Sequence, residues 1–187
     1  TYVPALYNLG CLQQSRGGEA EAEASYRQAL ALAPDFSPAV FNLAVLQEHS
    51  GREGEAVVSY RRVLEIDPQH VEAHFNLGCL LYRQGDIAAA EAAYRDLIQL
   101  APAHPRVQAA LGDILRETGR TEDAVCAYRA AIESDPDDAS AVNNLALVLT
   151  ELGLHEDAAA ACRHALALAP DCAEIWNNLG FVLSVAG

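Results

Sequence analysis

The chain has 187 residues, 51% of them apolar but only 6% aromatic, and a formal net charge of −14. Its 12 basic residues are all arginine and form no stripe, which argues against a nucleic-acid partner. No run approaches the roughly 18 apolar residues of a membrane-spanning helix, so no membrane span is expected.

Five of the eight prolines (Pro34, Pro68, Pro102, Pro136 and Pro170) recur every 34 residues. A period of that length marks a solenoid of helical hairpins. Framed from Val3, the units run 3–36, 37–70, 71–104, 105–138 and 139–172, with a half unit over 173–187. The glycine halfway through each full unit (Gly17, Gly51, Gly85, Gly119, Gly153) is expected to end a first helix in the left-handed conformation. The proline is expected to end a second helix, because it restricts the residue before it and lacks an N–H. Two helices per unit and one in the half unit make eleven.

The first unit sets the pattern, with Tyr7, Asn8, Leu9 and Gly10 on its first helix and Ala22 and Tyr26 on its second. The second repeats it as Phe41, Asn42, Leu43 and Ala44, then Ala56 and Tyr60. The third has Phe75, Asn76, Leu77 and Gly78, then Ala90 and Tyr94, and adds Tyr82 and Arg83. The fourth keeps Leu111, Gly112, Ala124 and Tyr128, breaks the amide series at Ala110, and adds Arg106 and Arg116. The fifth places Asn143 beside Asn144 and puts Cys162 where the others have tyrosine. Asn177, Asn178, Leu179 and Gly180 close the series in the half unit. Small residues are expected to let the paired helices close in, while the leucines and tyrosines fill the space between hairpins. No hairpin of this size buries its apolar face alone, so stacking on neighbours makes the core.

These small-residue, aromatic and proline positions resemble the tetratricopeptide repeat (TPR), and the resemblance covers Val3 to Gly187. It implies an all-α fold, a right-handed superhelical solenoid of antiparallel helix hairpins, with 1–187 forming a single array. It also implies that first helices line a concave groove in which ligands lie. On that face stand Asn8, Asn42, Asn76, Asn144 and Asn178, with Asn143 and Asn177 beside the last two. An asparagine amide offers both a donor and an acceptor and can pair with a peptide backbone in either sense. The NLG and NLA tripeptides bearing these residues look like those in the repeat arm of O-linked N-acetylglucosamine transferases, where an asparagine ladder holds polypeptide substrates. The same residues equally suit a purely local role in hydration or helix-end hydrogen bonding. Phe41, Phe75 and Tyr82 are candidate anchors for a bound chain, or else are covered by the next helix. Arg83 and Arg116 could take a carboxylate, although Glu72, Asp113 and Glu117 are expected to neutralise them. Chaperone adaptors of the family clamp a C-terminal carboxylate with two asparagines and flanking bases; here Pro4, Glu72 and Asn76 stand where bases are required, so no such clamp is implied.

The charge is not concentrated in the groove. On the first helices acids outnumber arginines by only two, and many others cluster at second-helix starts, where they offset the helix dipole. Partner binding should therefore depend only mildly on salt. The five cysteines are an odd number without a C-x-x-C pair and point to a reducing, cytoplasmic location. Cys162 reads as a small buried hydrophobe. His70 and His74 straddle a helix start with no third ligand nearby, so no metal is expected, and no other cofactor. No nucleophile–base grouping or phosphate loop supports catalysis.

Three functions remain open: a scaffold for protein or peptide partners, the substrate arm of a larger glycosyltransferase, or a self-assembling array. The chain starts at Thr1 without methionine and stops halfway through a repeat, as a piece of a longer protein would. Trp176, Leu179, Val182 and Leu183 are expected to lack cover, leaving a surface for self-association. Removing the ladder asparagines is expected to leave stability nearly intact.

Overall fold

The computed structural model describes residues 2–102, 104 and 106–186; Thr1, and the repeat-frame residues Ala103, Pro105 and Gly187, lie outside the described residues. Among the described residues all regular structure is helical, in eleven α-helices. First helices are α1 (Tyr2–Ser15), α3 (Ser37–His49), α5 (Val71–Arg83), α7 (Val107–Glu117), α9 (Ala139–Glu151) and α11 (Ala173–Val185). Second helices are α2 (Glu19–Leu32), α4 (Glu53–Ile66), α6 (Ile87–Leu100), α8 (Thr121–Ser134) and α10 (His155–Leu168). They form two compact units, residues 1–93 and 94–187.

The stops fall where the sequence places them. Gly17 has φ +80°, and the other four mid-unit glycines lie between +74° and +80°. A six-to-one hydrogen bond closes each of these turns, as from Gly18 N to Gln13 O at 2.9 Å and Arg120 N to Leu115 O at 2.8 Å. That pairing satisfies carbonyls which a helix end would otherwise orphan. Second helices stop two residues before the proline. The residue between is extended, as at Asp67 (φ −132°, ψ 90°) and Asp135 (φ −141°, ψ 90°), because the proline ring excludes helical geometry there. Acids occupy the first turns of α2, α4, α8 and α10.

In the first and fourth hairpins a tyrosine ring packs against a glycine. Tyr26, Tyr60, Tyr94 and Tyr128 are buried, and so is Cys162 at the fifth position. A methyl group at Gly10 would stand 2.5 Å from the Tyr26 ring, and one at Gly112 would stand 2.8 Å from Tyr128. Ala22, Ala56, Ala90, Ala124 and Ala158 are fully buried. Leu43, Leu77, Leu111, Leu145 and Leu179 are buried, whereas Leu9 is 45% exposed. In the first two repeats a polar contact joins the pair: Ser25 Oγ donates to Gln13 at 2.6 Å and Ser59 Oγ to Gln47 at 2.7 Å. The third repeat has Leu81 and Ala93 at the corresponding places, both buried.

The last helix departs from expectation. Leu179 and Val182 are buried among Leu145, Leu149, Ile175 and the α10 residues, so the preceding hairpin covers them. Trp176 and Leu183 are exposed as expected, and Phe181 and Val185 join them.

Candidate functional site

A buried tyrosine needs a partner for its hydroxyl, and here the first helices provide it. Tyr26 donates to Gln14 Oε1 at 2.8 Å and Tyr60 to Glu48 Oε2 at 2.8 Å. Each also receives a bond from the next hairpin: Asn42 Nδ2 donates to the Tyr26 hydroxyl and Asn76 Nδ2 to that of Tyr60, both at 3.2 Å. The spacing from tyrosine to asparagine is 16 residues in both cases. Asn42 also lies within reach of the Tyr7 hydroxyl at 3.4 Å and Cys11 Sγ at 3.5 Å.

In the second unit the same asparagine position finds other acceptors. Tyr128 donates to Asp113 Oδ1 at 2.6 Å, and Asn144 Nδ2 donates to that oxygen at 3.1 Å. Cys162 offers no comparable hydroxyl, and Asn178 Nδ2 instead donates to Asn143 Oδ1 at 3.0 Å. Burial, and then the carboxylate each bonds, push the Tyr60 and Tyr128 hydroxyls well above their ordinary range, so they remain donors. Burial likewise raises the Asp113 carboxyl, against the lowering effect of its bond from Tyr128.

Asn42, Asn76, Asn144 and Asn178 are thus half-buried and held by the nitrogen end. Among the described residues none of their Oδ1 atoms is engaged. The amides are therefore not equally free in both senses, because one N–H of each is committed inside the protein. Each committed N–H leads us to expect that removing these residues costs some stability, where the sequence alone suggested little.

Asn8 and Asn177 are exposed. Asn143 is only 3% exposed and does not offer an open amide: it lies two repeats after Phe75, at the same position, and both are buried. Being buried, Phe75 cannot anchor a ligand. Phe41 is half-buried, with its ring stacked on His70 at 4.6 Å, and Tyr82 is half-buried on α5.

The arginines are neutralised: Asp113 lies in the field of Arg116, as the sequence suggested, and further acids that it did not point to pair with both. Arg83 pairs with Glu48 at 2.7 Å and Glu53 at 3.4 Å, and Arg116 with Glu151 at 3.2 Å. Asp113 is occupied by Tyr128 and Asn144, and Glu72 lies beside His70. Glu48–Arg83 and Arg116–Glu151 are both 35 residues apart, the spacing that joins neighbouring first helices. That repeat-plus-one spacing was the available signal. His70 is committed as well: its Nδ1 accepts from Ala73 N at 3.2 Å, capping α5.

No helix among the described residues is long and apolar enough to cross a membrane. No curated protein matches the sequence. Among solved structures the chain is similar to MamA (22% identity, 86% of this chain and 94% of that one, TM-score 0.81). It is also similar to YrrB, described as a TPR protein with an unusual peptide-binding site (20% identity, 92% and 89%, TM-score 0.80). A third is a tetratricopeptide repeat protein from Parabacteroides merdae (17% identity, 97% and 72%, TM-score 0.86). These likenesses are of fold. Tetratricopeptide-repeat family models match residues 7–71 and 109–173, and another matches 49–114. Arrays of this kind are generally non-catalytic protein-interaction scaffolds, and the chain belongs to the tetratricopeptide-repeat family.

Proposed function

We propose that the first-helix face of each unit binds an extended polypeptide, whose backbone N–H groups donate to the carbonyl ends of the ladder asparagines. One observation carries this reading. Each amide is fixed by its nitrogen to the preceding hairpin, while its oxygen has no partner among the described residues. Acceptors fixed before binding lose little freedom when a ligand arrives. Backbone contacts would make the grip tolerant of side-chain sequence, which suits a free-standing scaffold or the substrate arm of a larger enzyme.

The test begins with dodecapeptides selected on the protein from a random displayed library. Their affinities are then measured for Asn42→Ala/Asn76→Ala and for Asn144→Ala/Asn178→Ala, below the melting point of each variant. One rung contributes about 0.5–1.5 kcal/mol, so losing two should weaken binding about 5- to 150-fold. Undiminished binding by a folded double variant would overturn the reading.

Self-association is a second reading, favoured by the exposure of Trp176, Phe181, Leu183 and Val185 along α11. Sedimentation across a hundredfold range of concentration decides it: a constant monomer mass rules it out.

A further inference from the structure

In the first unit the ladder face contains a pocket of about 570 Å³. Tyr7 and Phe41 supply aromatic walls, Asn42 a ladder amide, and Asp67, His70 and Glu72 the rim. Glu48 and Glu53 of the same unit are matched by Arg83. Asp67 and Glu72 have no arginine partner among the described residues, and no arginine lines the pocket. Asp67 uses one oxygen to accept from Gln69 N at 3.1 Å, which fixes the carboxylate without neutralising it. The basic group nearest Glu72 is not an arginine but the His70 ring, whose Nδ1 lies 3.4 Å from Glu72 Oε2 and also accepts from Ala73 N. The pocket therefore combines two carboxylates that lack an arginine partner with ring faces.

We propose that this pocket takes an arginine side chain of the bound polypeptide. The proposal rests on the ladder reading, since Asn42 is both a rung and part of the wall. A guanidinium is planar, stacks on aromatic rings, and offers a fork of donors to two carboxylates. An ammonium would match the charge but not the flat walls. Phe41 is already held against His70 at 4.6 Å, with 26° between the rings, so one wall is in place before binding.

The test uses capped Gly-Ser decapeptides that carry one central residue: arginine, its neutral isostere citrulline, or lysine. Each is titrated into isotopically labelled protein by NMR. The arginine peptide should shift the amide signals of Phe41, Asn42 and Glu72, and bind about tenfold more tightly than the citrulline peptide. Lysine should fall between the two. In Asp67→Asn/Glu72→Gln the arginine and citrulline peptides should bind alike. Both changes keep side-chain size and an acceptor oxygen, and a melt of the variant confirms the fold.

Equal affinity of the arginine and citrulline peptides for the unaltered protein would overturn the proposal, as would failure of the arginine peptide to bind at millimolar concentration. Shifts scattered over the acidic second helices would mean general attraction to a chain of charge −14, and would also overturn it. The two readings fail separately. Library peptides that need the ladder but show no preference for arginine would remove the pocket alone. An arginine peptide that seats here with full affinity in Asn42→Ala/Asn76→Ala would remove the ladder alone.

Discussion

The two units build the same asparagine position in different ways. In the first, Asn42 and Asn76 donate to tyrosine hydroxyls that donate onward to Gln14 and Glu48. In the second, Asn144 shares a carboxylate with Tyr128, and Asn178 leans on a neighbouring amide. The acceptor changes from hydroxyl to carboxylate to amide, yet the donor is always Nδ2 and the partner always lies in the preceding hairpin. What persists is an amide tied by its nitrogen. The feature common to all four is a side-chain carbonyl left without a partner among the described residues.

The largest expected effect separates two glycines of the second unit. Gly112→Ala sets a methyl group against the buried Tyr128 ring and should cost up to about 3 kcal/mol. Gly180 holds the same position in α11, but a Cβ there meets nothing within 4 Å. Gly180→Ala should be neutral or stabilise by up to about 1 kcal/mol through helix propensity. Equal melting shifts in the two variants would break the assignment of that position to the ring contact.

The joints come next. Asn144→Ala removes a donor from a desolvated carboxylate and should cost about 1.5–3 kcal/mol, against about 0.5–1.5 kcal/mol for Asn76→Ala at a neutral hydroxyl. Denaturant melts of the two variants decide the order, and a larger loss at Asn76 would contradict the comparison.

The smallest effect depends on pH. Arg52 bonds Glu23 through both guanidinium nitrogens, at 2.9 and 2.7 Å, and holds its carboxyl below the usual range. Because the folded value is depressed, the pair stabilises above the unfolded pKa and loses its effect as pH falls through the folded one. Melting of Glu23→Gln should therefore trail the unaltered protein at neutral pH and converge with it in acid. A gap that persists in acid would mean Glu23 acts through something other than charge.

Much of this architecture was legible because each signal recurs at one period. Gly17 and Pro34 state where helices stop, and their equivalents repeat the statement four more times. The Gly10 and Tyr26 positions were legible as packing positions, but their contact within one hairpin was not, because the tyrosines were expected to fill the space between hairpins. The site was harder to read. The Tyr26–Asn42 joint joins a second helix to the next first helix, and neither residue looks incomplete alone. Asn143 was misread because side-by-side amides suggest one shared face, although its position is that of Phe75, which packs inward. The partners of Arg83 and Arg116 were sought nearby in sequence, whereas neighbouring first helices bring residues 35 apart together. The pocket beside Phe41 gathers residues from three repeats, and no single repeat announces it.

The fixed carbonyls can be observed directly by NMR of the asparagine side-chain amides, first free and then with a selected dodecapeptide. In the free protein the Nδ2 groups of Asn42, Asn76, Asn144 and Asn178 should be rigid and slow to exchange, while those of Asn8 and Asn177 should be mobile. With peptide bound, its backbone N–H groups should show coupling through hydrogen bonds to the Cγ carbons of the same four residues. Ladder amides as mobile as Asn8, or a bound peptide coupled to none of them, would contradict the fixed-carbonyl ladder.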